Sequence, residues 1–157
     1  MEMGILKLIV KKKKWDPIKE FNIQSYQNPA SDKYYKGLDR IETMWSVIQN
    51  LKMFTGDQAD QLEMECKKNI NSFHYMIEYD KKMGAQTPKH APCFVRLAML
   101  YEKQERYEEA INICVMAIQA GAWDDHSKGK IYGRLARLIR KSGIQVSPDI
   151  MRLAEHE

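Results

Sequence analysis

From Asp32 onward the chain places apolar residues every three or four positions, a period that α-helices satisfy and strands do not. Tyr34, Leu38, Ile41, Trp45 and Ile48 trace one helical face, and Ala59, Leu62, Cys66, Ile70, Phe73 and Ile77 trace a second. Ser31 or Asp32 is suited to cap the first helix and Gly56 to end it. Asp57 is suited to cap the next, which Gly84 and Pro88 stop. The connection between them is short, so the pair is expected to form an antiparallel hairpin. The same signals predict a third helix from Ala91 to Gln104 and a fourth from Tyr107 to Ala120, closed by Gly121. A fifth is expected from an Asp125 cap to Lys141, closed by Gly143, and a short last helix opens at Pro148 behind Ser147. The expected class is all-α, built of successive antiparallel hairpins. Its 157 residues suit one ordinary domain. That domain is placed over residues 31–157, with a long hairpin at 31–84 and further hairpins at 91–157. Residues 1–30 hold no sustained period and are interrupted by Pro17 and Pro29, so an irregular or flexible basic segment is expected there.

Residues 94–121, "FVRLAMLYEKQERYEEAINICVMAIQAG", carry a more specific pattern. Small side chains recur at Ala98, Ala110 and Ala117, and large ones at Phe94, Leu97, Tyr101 and Tyr107. The order and spacing resemble the tetratricopeptide repeat, W-x2-L-G-x2-Y followed by A-x3-F and then P. Cys114 stands at the aromatic position of the second helix, and Ala122 where proline is usual. A further copy follows, because "FVRLAMLYEKQ" aligns with "YGRLARLIRKS", bringing Tyr132, Leu135, Ala136 and Ile139 into the first-helix pattern. Pro148 falls where the second helix of that copy would want alanine, so the unit is incomplete, its second helix displaced or shortened. The resemblance covers roughly residues 91–142. It implies a right-handed helical repeat in which the hairpin at 31–84 serves as a cap, with Leu97 and Ala98 buried between helices.

The resemblance also implies a function. First helices of this family line a groove that takes up a peptide or a helix from another protein. Carried over, the groove positions are Pro92, Val95, Met99, Glu102 and Lys103 from the third helix. Lys130, Arg134, Arg137 and Lys141 of the fifth lie at or beside the matching places. The Lys and Asn pattern with which some members clamp a C-terminal carboxylate is not present. Helical spacing alone puts the same four cations on one face, opposite Ile131, Leu135, Leu138 and Ile139. Aligned cations repel one another unless water or an anion intervenes, so the stripe is either a solvated face or a site for an anionic partner. "EKQERYEE" at 102–109 is the nearest internal source of counter-charge. Gly133, on the flank of this face, costs about 1 kcal/mol in a helix relative to alanine and would permit close approach of another backbone.

The net charge of +4 hides an uneven distribution. Lys7 and the run Lys11, Lys12, Lys13 and Lys14 make one basic segment. Lys128, Lys130, Arg134, Arg137, Arg140 and Lys141 make another, and the remainder is acidic. The lysine run suits either a solubilising tail or weak contact with an anionic membrane surface, at about 1 kcal/mol per lysine. In "GILKLIVKKKK" the charges follow the apolar run instead of preceding it, unlike a secretory signal, and the run is too short to span a bilayer. Cys66, Cys93 and Cys114 match no disulfide or zinc spacing, which points to a reducing, cytoplasmic setting. No nucleophile elbow, phosphate-binding glycine loop or paired-His metal motif is found. His90-x2-Cys93 supplies two metal ligands at most, and Asp124, Asp125 and His126 suit a helix start with acids near its positive end. The expected function is a non-enzymatic adaptor without metal or cofactor, binding a segment of another protein that is acidic if the stripe selects it. The alternative is a nucleic-acid-binding helical domain using residues 128–141 and the lysine run. Against it, no aromatic stands among the arginines.

Overall fold

The structure is a computed structural model that describes residues 27–156. Six helices follow one another: α1 (Ser31–Leu51), α2 (Asp57–Lys82), α3 (Pro92–Lys103), α4 (Tyr107–Gln119), α5 (Lys130–Ser142) and α6 (Pro148–Ala154). No strand occurs among the described residues, so the class is all-α. The expectations placed on residues 1–26, including those on Lys11, Lys12, Lys13 and Lys14, lie outside the described residues. No described helix is long and apolar enough to cross a membrane.

Contacts between helices fix their directions. Asn28 Nδ2 donates to the Met76 carbonyl and to Asp80 Oδ1, both at 2.7 Å. Asn69 Nδ2 donates to the Tyr34 carbonyl at 2.9 Å, and Arg40 faces Glu65 at 3.6 Å. Partners on α2 fall in number as those around α1 rise, so the first two helices are antiparallel. The same argument makes α2 and α3 antiparallel, since Phe73 meets Phe94 at 5.7 Å and the Tyr101 hydroxyl donates to Glu63 at 2.8 Å. By contrast α1 and α3 run parallel: Arg96 pairs with Glu42, and Gln104 Nε2 donates to the Phe54 carbonyl at 2.7 Å. α5 returns against α4, with the Ile131 N–H on the Trp123 carbonyl at 2.9 Å and Lys141 Nζ 5.8 Å from the Tyr107 ring.

One continuous core runs through α1 to α5. It holds the fully buried Tyr34, Ile41, Leu62, Phe73, Phe94, Ile131, Leu135 and Leu138. Leu97 and Ala98 are buried as expected, at 0% and 1% exposure. α6 adds the partly buried Ile150 and Leu153, and it packs on α5.

The helix ends show where local chemistry departs from the expected caps. Ser31 is the first residue of α1, not its cap. The entry is held by Asn28, whose Oδ1 accepts the Ala30 N–H at 2.8 Å and whose carbonyl accepts the Ser31 hydroxyl at 2.8 Å. α1 ends at Leu51 with Lys52 in the left-handed region (φ 55°), and Gly56 opens α2 instead of closing α1. α5 starts at Lys130, not at Asp125. There Asp124 Oδ1 accepts the His126 N–H at 2.9 Å and Asp125 Oδ1 accepts the Ser127 N–H at 3.0 Å. Two successive Asx turns thus use the oxygens that would have capped a helix, and His126 at φ 65° keeps the segment non-helical. Ser147 caps α6 as expected, accepting the Ile150 N–H at 3.3 Å ahead of Pro148.

Candidate functional site

The third-helix residues named from the sequence do not share one surface. Pro92 is buried and Val95 is 6% exposed. Both therefore belong to the core and line no open groove. Met99 is partly buried, with Arg96 Nη1 donating to its sulfur at 3.6 Å. Arg96 grips Glu42 with two hydrogen bonds, Nε at 2.7 Å and Nη2 at 3.0 Å, while its guanidinium lies 5.6 Å from the Trp45 ring. Lys103 is exposed and its ammonium lies 5.3 Å over Phe54, which in turn meets Trp45 at 6.1 Å. Glu42, Phe54 and Arg96 were not singled out from the sequence. Arg96 and Glu42 stand 54 residues apart, and only the parallel packing of α1 on α3 brings them together.

The basic stripe is divided between three carboxylates. Arg137 and Lys141 converge on Glu102: Arg137 Nη2 meets Oε1 at 3.1 Å, Nη1 bonds Oε2, and Lys141 Nζ meets Oε2 at 3.3 Å. Burial pushes the Glu102 carboxyl up, but Arg137 and Lys141 outweigh it and hold the group below its ordinary value. Arg134 pairs with Asp125 at 3.1 Å, and the Asp125 side chain is entirely enclosed. Burial would raise that carboxyl too, yet its hydrogen bonds from Ser127 and the charge of Arg134 bring it below normal. Lys130 Nζ meets Asp124 Oδ1 at 3.1 Å. The repulsion expected of four aligned cations is thus relieved from inside the protein. Glu102, in the stretch that the sequence offers as nearest counter-charge, supplies one of the acids, and the loop before α5 supplies the other two. The face keeps a positive surplus, since its four cations meet three carboxylates and two of them share Glu102.

His90 and Cys93 do not converge. The His90 ring nitrogen Nδ1 lies 2.7 Å from the Asp124 carbonyl and its ring stacks on His126 at 3.8 Å, whereas Cys93 is buried in the core. Among the described residues no group of three His, Cys, Asp or Glu is placed to hold a metal. Burial pushes the Cys93 and Cys114 thiols up to about 12, and Cys66 higher still, so all three are neutral at physiological pH. The arrangement therefore offers paired charges, two partly buried apolar side chains in Met99 and Phe54, and a surplus of cations. No known protein family matches this chain, and neither does any curated protein or solved structure.

Proposed function

We propose that the chain is a non-enzymatic adaptor that holds a segment of another protein along the face shared by α1, α3 and α5, in an arrangement similar to that of tetratricopeptide repeats. One observation carries this reading: α3 is tied sideways to both neighbours, to α1 through Glu42–Arg96 and to α5 through Glu102–Arg137–Lys141. These ties set Met99, Lys103 and Lys141 on a surface that is fixed before any partner arrives, which lowers the entropy cost of binding. Its surplus positive charge favours an acidic segment and speeds encounter, and Met99 with Phe54 supplies apolar contact. Three buried free thiols fit a reducing, cytoplasmic setting.

The stripe itself is a poor track for a nucleic-acid backbone. Each phosphate would have to displace a carboxylate already paired with Lys130, Arg134, Arg137 or Lys141, so little counterion release would follow. The test is capture of partners with and without nuclease, followed by binding to the Lys103→Ser/Lys141→Ser variant. Both side chains are exposed, so circular dichroism should not change. A protein partner should persist after nuclease and bind the variant roughly tenfold more weakly, about 1.4 kcal/mol. Full affinity in the variant, or loss of capture on nuclease treatment, would remove the reading.

A further inference from the structure

The loop after α4, the first turns of α5 and the residues after α6 border an open cleft of about 620 Å³ beside the adaptor face. Small-molecule sites span about 300–1,000 Å³, so its size is that of a ligand pocket. Trp123, Tyr132 and His156 line it. Tyr132 and His156 form a ring pair 4.2 Å apart and tilted by 35°, and Trp123 is steadied by Lys89, whose ammonium lies 5.6 Å from the indole. Lys128 and Lys130 bring positive charge to the same cleft. Lys130 shares Asp124, while Lys128 makes no ion pair among the described residues.

Part of the lining is bare backbone, at Gly129 and Gly133. Gly133 is the residue that fold stability does not explain. It lies inside α5, where glycine is the poorest helix former apart from proline. Its φ is not positive, and a Cβ built there would meet nothing beyond the backbone of its own helix within 4 Å. Neither backbone conformation nor packing asks for glycine. What its absent side chain leaves is a flat strip of helix open to the cleft. Gly129 adjoins that strip, since a Cβ on it would sit 3.2 Å from the Gly133 Cα.

A flat ring laid on bare backbone among aromatic side chains, with an anionic group within reach of lysines, has the chemistry of a nucleotide. Every base offers a π-face for stacking, and lysine is a usual partner of phosphate. We infer that this cleft binds a nucleotide unit, its base against Tyr132, Trp123 and the Gly133 backbone and its phosphate toward Lys128, the cleft lysine that no described carboxylate already holds. The unit is supplied either as a free nucleotide or as a residue of a single-stranded nucleic acid, and the site chemistry is the same for both.

The full chain, labelled for NMR, would be titrated with adenosine monophosphate, inorganic phosphate and a short single-stranded oligonucleotide. Saturable shifts of the Gly129 and Gly133 amides and of the Trp123 indole are expected with the mononucleotide, and phosphate alone should bind roughly tenfold more weakly. Shifts with the oligonucleotide only would support the site and assign its source to a strand. No shifts with either probe, or phosphate binding as tightly as the mononucleotide, would overturn the proposal. Gly133→Ala separates ligand from fold. It should keep or raise the melting temperature, because α5 gains a helix former without a clash, yet weaken binding roughly tenfold. A lowered melting temperature would show that the glycine serves the fold, and unchanged affinity would show that the bare strip holds nothing. Either outcome sinks the inference.

Discussion

Glu63 accepts hydrogen bonds from Arg106 Nη1 and from the Tyr101 hydroxyl, each at 2.8 Å, and pairs with Lys67 at 3.0 Å. One carboxylate thereby links α2 to the turn between α3 and α4. The Arg106 hydrogen bond, against the opposing effect of burial, holds the Glu63 carboxyl down at about 2, from an ordinary 4.5. The unfolded chain protonates this group at higher pH than the folded one, so its ionised form stabilises the fold. That stabilisation is complete above about pH 4.5 and is lost as pH falls toward 2, with an upper bound of about 3 kcal/mol. Glu63→Gln should therefore destabilise the protein at pH 7, and by much less near pH 3. Denaturant melts of both proteins at the two pH values check this, and a gap that ignores pH would show that the charge contributes nothing. Such hubs are hard to read from a sequence. Spacing along one helix reveals that Lys130, Arg134, Arg137 and Lys141 share a face, but Glu102 stands 35 residues from Arg137 and 39 from Lys141. Only tertiary packing decides whether a stripe meets its acids.

Elements were more legible than their ends. The three-to-four residue period of Tyr34 to Ile48 and of Ala59 to Ile77 gave α1 and α2, because burying one face of a helix leaves that mark directly. α5 starts five residues after the expected Asp125 because Asp124 and Asp125 satisfy helix capping and Asx turns equally well. Glycines inside helices pose the same ambiguity, and Gly37 resolves it in the direction opposite to Gly133. It is buried at the crossing of α1 and α2, where an added Cβ would fall 2.4 Å from Asn69 Nδ2. That nitrogen is committed to the Tyr34 carbonyl, and Asn69 is 3% exposed, so it has little room to retreat. Gly37→Ala should thus destabilise the protein by about 1–3 kcal/mol despite the gain in helix propensity. In an Asn69→Ala background the clash is gone, and the same change should be neutral or stabilising by up to about 1 kcal/mol. Urea melts of the four proteins in this cycle measure the coupling, and additive effects would contradict the close crossing.

At the scale of the molecule, three rings join what the sequence divides into a cap hairpin and later hairpins. Phe73 of α2 lies 5.4 Å from Tyr34 of α1 and 5.7 Å, edge on, from Phe94 of α3, and all three are at most 1% exposed. The period of α2 puts Phe73 on a buried face, but nothing local shows which residue of the later hairpins it meets. With the core continuous from Tyr34 to Leu138, the helices should unfold as one cooperative unit, not as separate hairpins. Phe73→Ala removes the central ring and should cost about 3–5 kcal/mol. Against a usual total stability of about 5–15 kcal/mol, that loss is large enough to be felt far from the site. Native-state hydrogen exchange gives the decisive readout, since it reports opening free energy helix by helix. In the variant, the most protected amides of α1, of α2 and of the distant pair α4 and α5 should lose protection by the same amount. If α4 and α5 keep wild-type protection while α1 and α2 open, the first hairpin is an independent unit, and the ring contact between Phe73 and Phe94 does not couple the two halves.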